Sequence, residues 1–327
     1  YEGDLVPVWD NKIKSTYEEN TFYPVRANVD DKGNVYILAR EYDEPLKAFK
    51  FGKPQFNYLM IAYTENGEQE NPFDLDLKGR YIVDLSFRVM DDGSIVCGGF
   101  YSENYGGGYK GVCFFSADPK TGSITQEGYN EFSAAELSEF MSERRAEKGK
   151  EIYNFDLSDL ILRDDGGLVM VGEYYNVVVT TRTSNGKTYT TYTYYYNSLL
   201  VVSVSPDLSI DWLKVVPKRQ VTRNDGGYYS SYAMMVKGEN IYVLFNDNDE
   251  NLNKLSSDDK LKNYDGKRSV VSLVTISSDG SLKKSLLLEN KEEGFILRPK
   301  ICEQATDDDM IIYGELRNKY KVGKLTF

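Results

Sequence analysis

Apolar and polar positions along the chain follow one pattern that recurs five times. Each copy has an apolar stretch, a short polar turn, and a second apolar stretch that ends in a small residue, as around the turn Asp164-Asp165-Gly166. One such unit cannot bury its own apolar face, so several copies must stack against each other. The five copies cover residues 25–40, 87–99, 160–173, 234–246 and 300–315.

A second pair of apolar segments follows each hairpin, which makes the repeating unit four strands long. In the fourth unit, residues 270–276 and 282–288 are joined by Ser278-Asp279-Gly280. Such turns predict hairpins, because Gly supplies a positive φ angle, and the β-branched residues on either side favour strands. The sequence therefore predicts an all-β fold, a five-bladed β-propeller of four-stranded antiparallel blades.

The two ends of the chain predict how the ring closes. Only one apolar segment, 321–327, follows the fifth hairpin, while an unpaired apolar segment, 5–9, begins the chain. We expect this N-terminal strand to close the last blade. Residues 1–327 have no Pro-rich or Gly/Ser-rich linker and are predicted to form a single domain.

Long connections are predicted to leave only one face of the propeller, because every turn at the other end of the blades is tight. Loops on a rigid scaffold commonly carry function, so this face is the predicted binding face. The main insertions are 41–57, 133–152, 174–197 and 246–268, with shorter ones at 101–110 and 218–229.

Two insertions have predicted structure of their own. Ser133 and Glu136 have the spacing of a capping box and predict one short helix, which either lies on the face or fills the junction between two blades. Residues 177–183 and 188–194 flank Asn185-Gly186 and predict a long hairpin.

Tyrosines are concentrated in the insertions. Alternation along the hairpin places Tyr192, Tyr194 and Tyr196 on one side, where they form either a surface for a protein or glycan or only cross-strand pairs. The candidate binding tyrosines are Tyr105, Tyr109, Tyr189, Tyr192, Tyr194, Tyr196, Tyr228 and Tyr229.

One position in each repeat gives another candidate set. It directly follows the small residue that ends the second apolar stretch of the repeat. Equivalent positions in a ring point in similar directions, so these side chains either surround the axial mouth or bridge neighbouring blades. Glu173 and Glu315 are the binding candidates, and Arg40, Gly99 and Asn246 occupy the same place in the other copies.

One segment has the spacing of a calcium loop. Oxygen ligands occur at Asp247, Asp249, Asn251 and Asp258, but Leu252 stands where the sharp turn needs Gly. We therefore expect no cofactor, and calcium is the alternative.

Catalytic residue types are few. The chain has no histidine, which excludes Ser-His-Asp and Cys-His catalysis. Carboxylates on predicted inner strands leave glycoside cleavage open, which needs an acid and a second carboxylate on either side of the sugar. We expect a protein that is not an enzyme, and the carboxylates that would support the alternative are Asp84, Asp156, Asp159 and Glu303.

Net charge limits the partners. The formal charge of −12 argues against a nucleic acid, whose backbone needs a positive stripe. No apolar run is long enough to span a membrane. A protein partner is therefore expected, and a glycan stays open.

The repeats resemble a known group of proteins. The segment 164–174, together with 200–212, is similar to the blade repeat of exported, mostly uncharacterised β-propeller proteins of Bacteroidota. This resemblance implies an extracytoplasmic setting, in the periplasm or at the cell surface, where association with the outer membrane is one alternative. A start at Tyr1 without Met fits either removal of a signal peptide or an incomplete sequence. The leading hypothesis is a non-catalytic scaffold subunit of a cell-envelope assembly, and the alternative is a carbohydrate-binding or glycoside-cleaving propeller that uses its axial funnel.

Overall fold

Within the residues that it describes, the computed structural model contains five four-stranded antiparallel sheets in chain order. It describes residues 20–42, 56–70, 72–75, 81–90, 92–103, 108–119, 121, 123–163, 165–256, 259–266 and 269–327. The predicted all-β class and four-stranded antiparallel sheets are confirmed. The segment 5–9, predicted to close the last blade, lies outside the described residues.

In the first four sheets, each strand pairs with the next one along the chain, as expected when tight turns join alternating segments. The first sheet contains β1 (Phe22–Val29), β2 (Val35–Tyr42), β3 (Phe56–Tyr63) and β4 (Phe73–Leu75). The second contains β5 (Tyr81–Val89), β6 (Ile95–Ser102), β7 (Gly111–Ala117) and β8 (Ile124–Glu131). The third contains β9 (Phe155–Leu162), β10 (Leu168–Ser184), β11 (Lys187–Val204) and β12 (Ile210–Arg223). The fourth contains β13 (Ala233–Lys237), β14 (Asn240–Asn248), β15 (Ser269–Ile276) and β16 (Leu282–Glu289).

The fifth sheet is less regular. Its long strands pair with each other, and two short strands share the other edge of the first long strand because a 3₁₀ turn, Pro299–Ile301, separates them. The predicted inner strand over residues 300–304 is thus broken. The strands are β17 (Ile296–Leu297), β18 (Glu303–Gln304), β19 (Asp309–Leu316) and β20 (Lys319–Thr326).

Contacts between first strands show that the sheets are arranged around an axis, as in a propeller. Arg88 on β5 donates from Nε to the carbonyl of Leu160 on β9 at 2.8 Å. Gln304 on β18 donates to the carbonyl of Val236 on β13 at 2.8 Å. Apolar clusters fill the spaces between successive sheets, so the core is a series of layers between neighbours.

The inserted helical segment differs from the prediction in length and number. Ser133 and Glu136 form the expected capping box, but the segment contains two short helices, α1 (Ala134–Ser138) and α2 (Glu143–Ala146). A third, α3 (Asn290–Glu293), follows β16. Leu137 is buried and Phe140 packs on the cluster between the second and third sheets, so the segment fills this junction.

Candidate interaction surface

The predicted hairpin is present and extends beyond the third sheet. β10 and β11 pair without interruption from Tyr175 to the turn, where Asn185 and Gly186 have φ angles of 52° and 74°. Two consecutive positive φ angles match a type I′ turn, whose twist agrees with that of the flanking strands. The Asn-Gly pair in the sequence therefore determined this element locally.

Register places two tyrosines of β11 opposite two valines of β10. Tyr192 lies opposite Val179 and Tyr194 opposite Val177, and Tyr175 follows on the same side. We call these five residues the tyrosine face. Val179 is 54% exposed and Tyr192 is 44% exposed, which is high for apolar side chains in strand positions. On the opposite side of the hairpin, Tyr189 is 57% exposed.

A third strand supports the hairpin, which the sequence analysis missed. Residues 218–223 were predicted to begin a loop, but β12 continues to Arg223, which pairs with Thr193. Asn224 closes this strand end because its side chain accepts from the Tyr192 N–H at 2.9 Å and its own N–H donates to the Tyr192 carbonyl at 2.9 Å. Pro217 lies within β12, which is an edge strand, and an edge strand tolerates proline on its unpaired side.

Tyr196, predicted to bind a partner, is instead a buried anchor. Its hydroxyl accepts a hydrogen bond from Lys300 Nζ at 2.8 Å, and its ring packs so closely on Gly227 that any Cβ there would lie 2.2 Å from it. Burial lowers the pKa of Lys300, because the desolvated ammonium loses hydration. The base of the hairpin is therefore fixed to the fifth sheet.

Glu173 is also buried, so its predicted role at an open axial mouth is wrong. One carboxylate oxygen accepts from Lys218 Nζ at 2.6 Å, and the other accepts from the Ser231 hydroxyl at 2.7 Å. Lys218 also donates to Gln220 Oε1 at 3.1 Å. Burial lowers the pKa of Lys218, although Glu173 favours its charged form.

Two of the equivalent positions bridge neighbouring sheets. Arg40 donates to the carbonyl of Val83 at 2.8 Å, and Asn246 donates to the carbonyl of Leu297 at 2.7 Å. Glu173 contacts Ser231, which lies in the segment that leads to the fourth sheet, whereas Glu315 pairs with Arg298 of its own sheet. At Arg40 and Asn246 the position thus fastens one sheet to the next, which was the alternative that the sequence left open.

A second aromatic pair lies beside the fifth sheet. The Arg298 guanidinium carbon is 3.7 Å from the centre of the Tyr228 ring, and Arg298 also donates to the Tyr228 hydroxyl at 2.7 Å. Glu315 forms an ion pair with Arg298 at 3.4 Å. Tyr228 is exposed and Tyr229 is half-buried, so this pair offers one accessible ring.

Tyr109 does not belong to the surface. Its ring stacks on Phe100 at 4.7 Å between centroids, and its hydroxyl donates to the carbonyl of Phe155 at 2.6 Å. Burial raises the pKa of Tyr109 because the phenolate would be desolvated. The other candidate in that insertion, Tyr105, lies outside the described residues.

The inner-strand carboxylates have different environments. Asp84 accepts the N–H groups of Leu85 and Leu157, each at 2.9 Å, and burial raises its pKa. Its oxygens therefore hold two strands together. Asp156 and Glu303 are exposed, and the side chain of Asp159 is outside the described part of the chain.

The residues with the spacing of a calcium loop form an ion pair and hydrogen bonds within the protein. Asp247 forms a buried ion pair with Lys284 at 2.5 Å and accepts from Asn251 at 2.7 Å. Asn251 also bonds the backbone of Lys262, and Asp249 begins a 3₁₀ turn. Asp258 lies outside the described residues, and within them no cluster of three metal-binding side chains is found.

Comparisons with known proteins give structural likeness only. No protein family and no curated protein matches the sequence. The β-propeller domain of the Trilobed protease from Pyrococcus furiosus is 12% identical, with a TM-score of 0.43 over 94% of this chain and 68% of that one. A putative exo-β-1,3-galactanase from Bifidobacterium bifidum is 10% identical, with a TM-score of 0.36 over 92% and 86%. A DUF4221 family member from Bacteroides vulgatus is 9% identical, with a TM-score of 0.27 over 94% and 96%. These values assign neither a family nor an activity to this chain.

Proposed function

We propose that this chain is a non-catalytic, five-bladed propeller that binds a protein partner through its hairpin-bearing face, as a scaffold subunit of a bacterial cell-envelope assembly. The tyrosine face is the observation that carries the proposal. Tyrosine gives a large, rigid contact area at a small entropic cost, and aromatic anchors contribute most of the energy of protein interfaces.

Rigidity of the hairpin supports this role. Three paired strands, the Asn224 contacts and the Tyr196 anchor hold the tyrosine face in one orientation before a partner arrives. A preorganised surface loses less conformational entropy on binding. The face therefore has the properties of a docking surface rather than of a mobile loop.

Closure of the ring belongs to the same proposal. β20 is paired on one side only among the described residues, and its side chains Tyr320 and Val322 are 71% and 63% exposed. Residues 5–9 would pair with this edge and supply the outermost strand of the blade, since β17 and β18 share one position beside β19. Twelve residues separate them from β1, and an extended chain of that length reaches about 40 Å, several times the strand spacing of about 4.8 Å.

The alternative is a carbohydrate-binding or glycoside-cleaving propeller. A cavity of about 590 Å³ lies along the axis, with Lys300 and Glu303 among its lining residues. Asp84 is unsuited to acid–base chemistry because backbone N–H groups occupy both its oxygens. Within the described residues, Glu303 and Asp156 are the exposed inner carboxylates that this alternative could use.

The test is affinity purification of the full chain from its native cells. We expect Val179→Ser/Tyr192→Ser to reduce recovery of the co-purified partner at least about tenfold, because two interface anchors are truncated. Val29→Ser/Leu286→Ser is a control at exposed positions away from the hairpin, 59% and 44% accessible. Equal recovery by the hairpin variant and the control, with both folded by circular dichroism, would remove the hairpin from the proposal.

A further inference from the structure

The tight-turn end of the molecule contains a cavity that no part of the proposed function uses. It lies between the third and fourth sheets and has a volume of about 380 Å³, at the lower end of the range of small-ligand pockets, roughly 300–1,000 Å³. Its apolar lining comes from the layer between these sheets and includes Ile161, Val169 and Ile241. The long insertions and the tyrosine face are at the opposite end.

A fixed set of polar groups forms one side of this cavity. Arg163 Nη1 donates to the Ser203 hydroxyl and to Asp211, each at 2.6 Å. Its other terminal nitrogen forms an ion pair with Asp165, which also accepts the Gly167 N–H at 2.9 Å. The Arg163 guanidinium and the carboxylates of Asp165 and Asp211 therefore lie next to each other, and these contacts fix their orientation.

Trp212 supplies an aromatic surface beside these groups. Its indole N–H donates to the carbonyl of Ser278 at 2.8 Å, which fixes the ring. One side of the ring is packed so closely on Gly280 that a Cβ there would lie 2.8 Å from the indole. The half-buried ring also lines the cavity, so part of its aromatic surface meets whatever enters.

Charge narrows the class of ligand. The ionisable lining residues are Arg163 and Lys237 against Asp165, Glu239 and Asp307, a net charge of −1, which disfavours an anion such as a phosphate. A sugar ring has an apolar C–H face that suits the negative face of an aromatic ring, and hydroxyls that both donate and accept. From the cavity, the Arg163 groups and the indole, we propose that this cleft binds a neutral saccharide without cleaving it.

Trp212 itself reports the binding. The chain has two tryptophans, so the full chain carrying Trp9→Phe has Trp212 as its only indole. We would titrate this protein with galactose, glucose, mannose, lactose, cellobiose and maltose, and with Nα-acetyl-lysine amide as a cationic probe. We expect a saturable change in fluorescence with at least one saccharide, with a dissociation constant on the order of 1 mM. Absence of a saturable change with every saccharide, or a change with the lysine amide alone, would overturn the proposal.

Variants then locate the binding and separate it from the hairpin. In saturation-transfer NMR, Trp212→Leu should weaken saccharide binding about tenfold, because the stacking surface is lost. Lys283→Gln, an exposed residue outside the cleft, should leave it within about twofold. Tyr192→Ser, on the opposite face, should leave it unchanged. A large loss with Lys283→Gln, or retention with Trp212→Leu, would show that the place is wrong.

Discussion

At the scale of single residues, the buried charge of Lys218 constrains this fold. Its ammonium contacts Glu173, the carbonyl of Tyr196 and Gln220, and its side chain is fully buried. Removing one partner of such a pair leaves the other charge without compensation, which costs more than the pair itself contributes. Gln220 Nε2 also donates to the carbonyl of Asn246 at 2.7 Å, so the network extends from the third sheet to the fourth.

We predict that Lys218→Met lowers the free energy of unfolding by about 3–5 kcal/mol, since the Glu173 carboxylate is left buried and unpaired. Urea denaturation followed by circular dichroism measures the change. The exposed residue Lys283 offers the control Lys283→Met, with an expected effect within about 0.5 kcal/mol. The double variant Lys218→Met/Glu173→Leu should lose less than Lys218→Met alone. An effect of Lys218→Met as small as that of the control would contradict this account.

At the scale of elements, the segment at the end of β14 has the spacing of a calcium loop but forms a hydrogen-bonded turn instead. Asn248 caps a 3₁₀ turn by accepting from the Glu250 N–H, and Asn251 bonds Asp247 and the backbone at Lys262. The oxygens that would bind a cation therefore close a loop or pair with Lys284. Hydrogen bonds from Asn and Asp side chains to nearby backbone groups favour such turns and caps.

We predict that calcium leaves the stability of the chain unchanged. A bound ion at 100 times its dissociation constant would stabilise the fold by about 2.7 kcal/mol. The melting temperature should be equal in chelator and in millimolar calcium, because Lys284 already neutralises Asp247. Asp247→Asn should lower it under both conditions alike. A rise in the melting temperature with calcium in the parent, lost in this variant, would reinstate the metal site.

At the scale of the whole molecule, the five sheets form four filled junctions in succession, between first and second through fourth and fifth. The outward side of the first sheet carries a smaller cluster of Leu59, Ile61 and Tyr63. The fifth sheet ends in β20, whose outer edge is open among the described residues. Closure of the ring thus depends on what packs against the outward side of the first sheet and what pairs with the outer edge of β20.

We predict that a chain lacking residues 1–10 self-associates. Without the proposed closing strand, β20 presents an unpaired edge with exposed Tyr320 and Val322, and such edges promote aggregation. Size-exclusion chromatography with light scattering should show oligomers and a lower melting temperature. A synthetic peptide of residues 1–12 should restore the monomer. A shortened chain that stays monomeric and melts with the parent would refute the closure.

The sequence by itself determined the local elements. Alternation and turn residues were sufficient for the four-stranded sheets, for the Asn185-Gly186 hairpin and for the capping box at Ser133, because each depends on neighbours in the chain. The side of the hairpin that carries Tyr192 and Tyr194 also followed from a period of two.

Tertiary structure decided which of these side chains are accessible. Tyr196 is buried by Gly227 and Lys300, Tyr109 by Phe100, and Glu173 by Lys218 and Ser231. The extension of β12 needed β11 as a template, and the cleft at Trp212 needed two sheets side by side. These contacts join residues that are far apart in sequence. Burial of a side chain depends on which distant segments pack against it, and a local sequence pattern does not encode that.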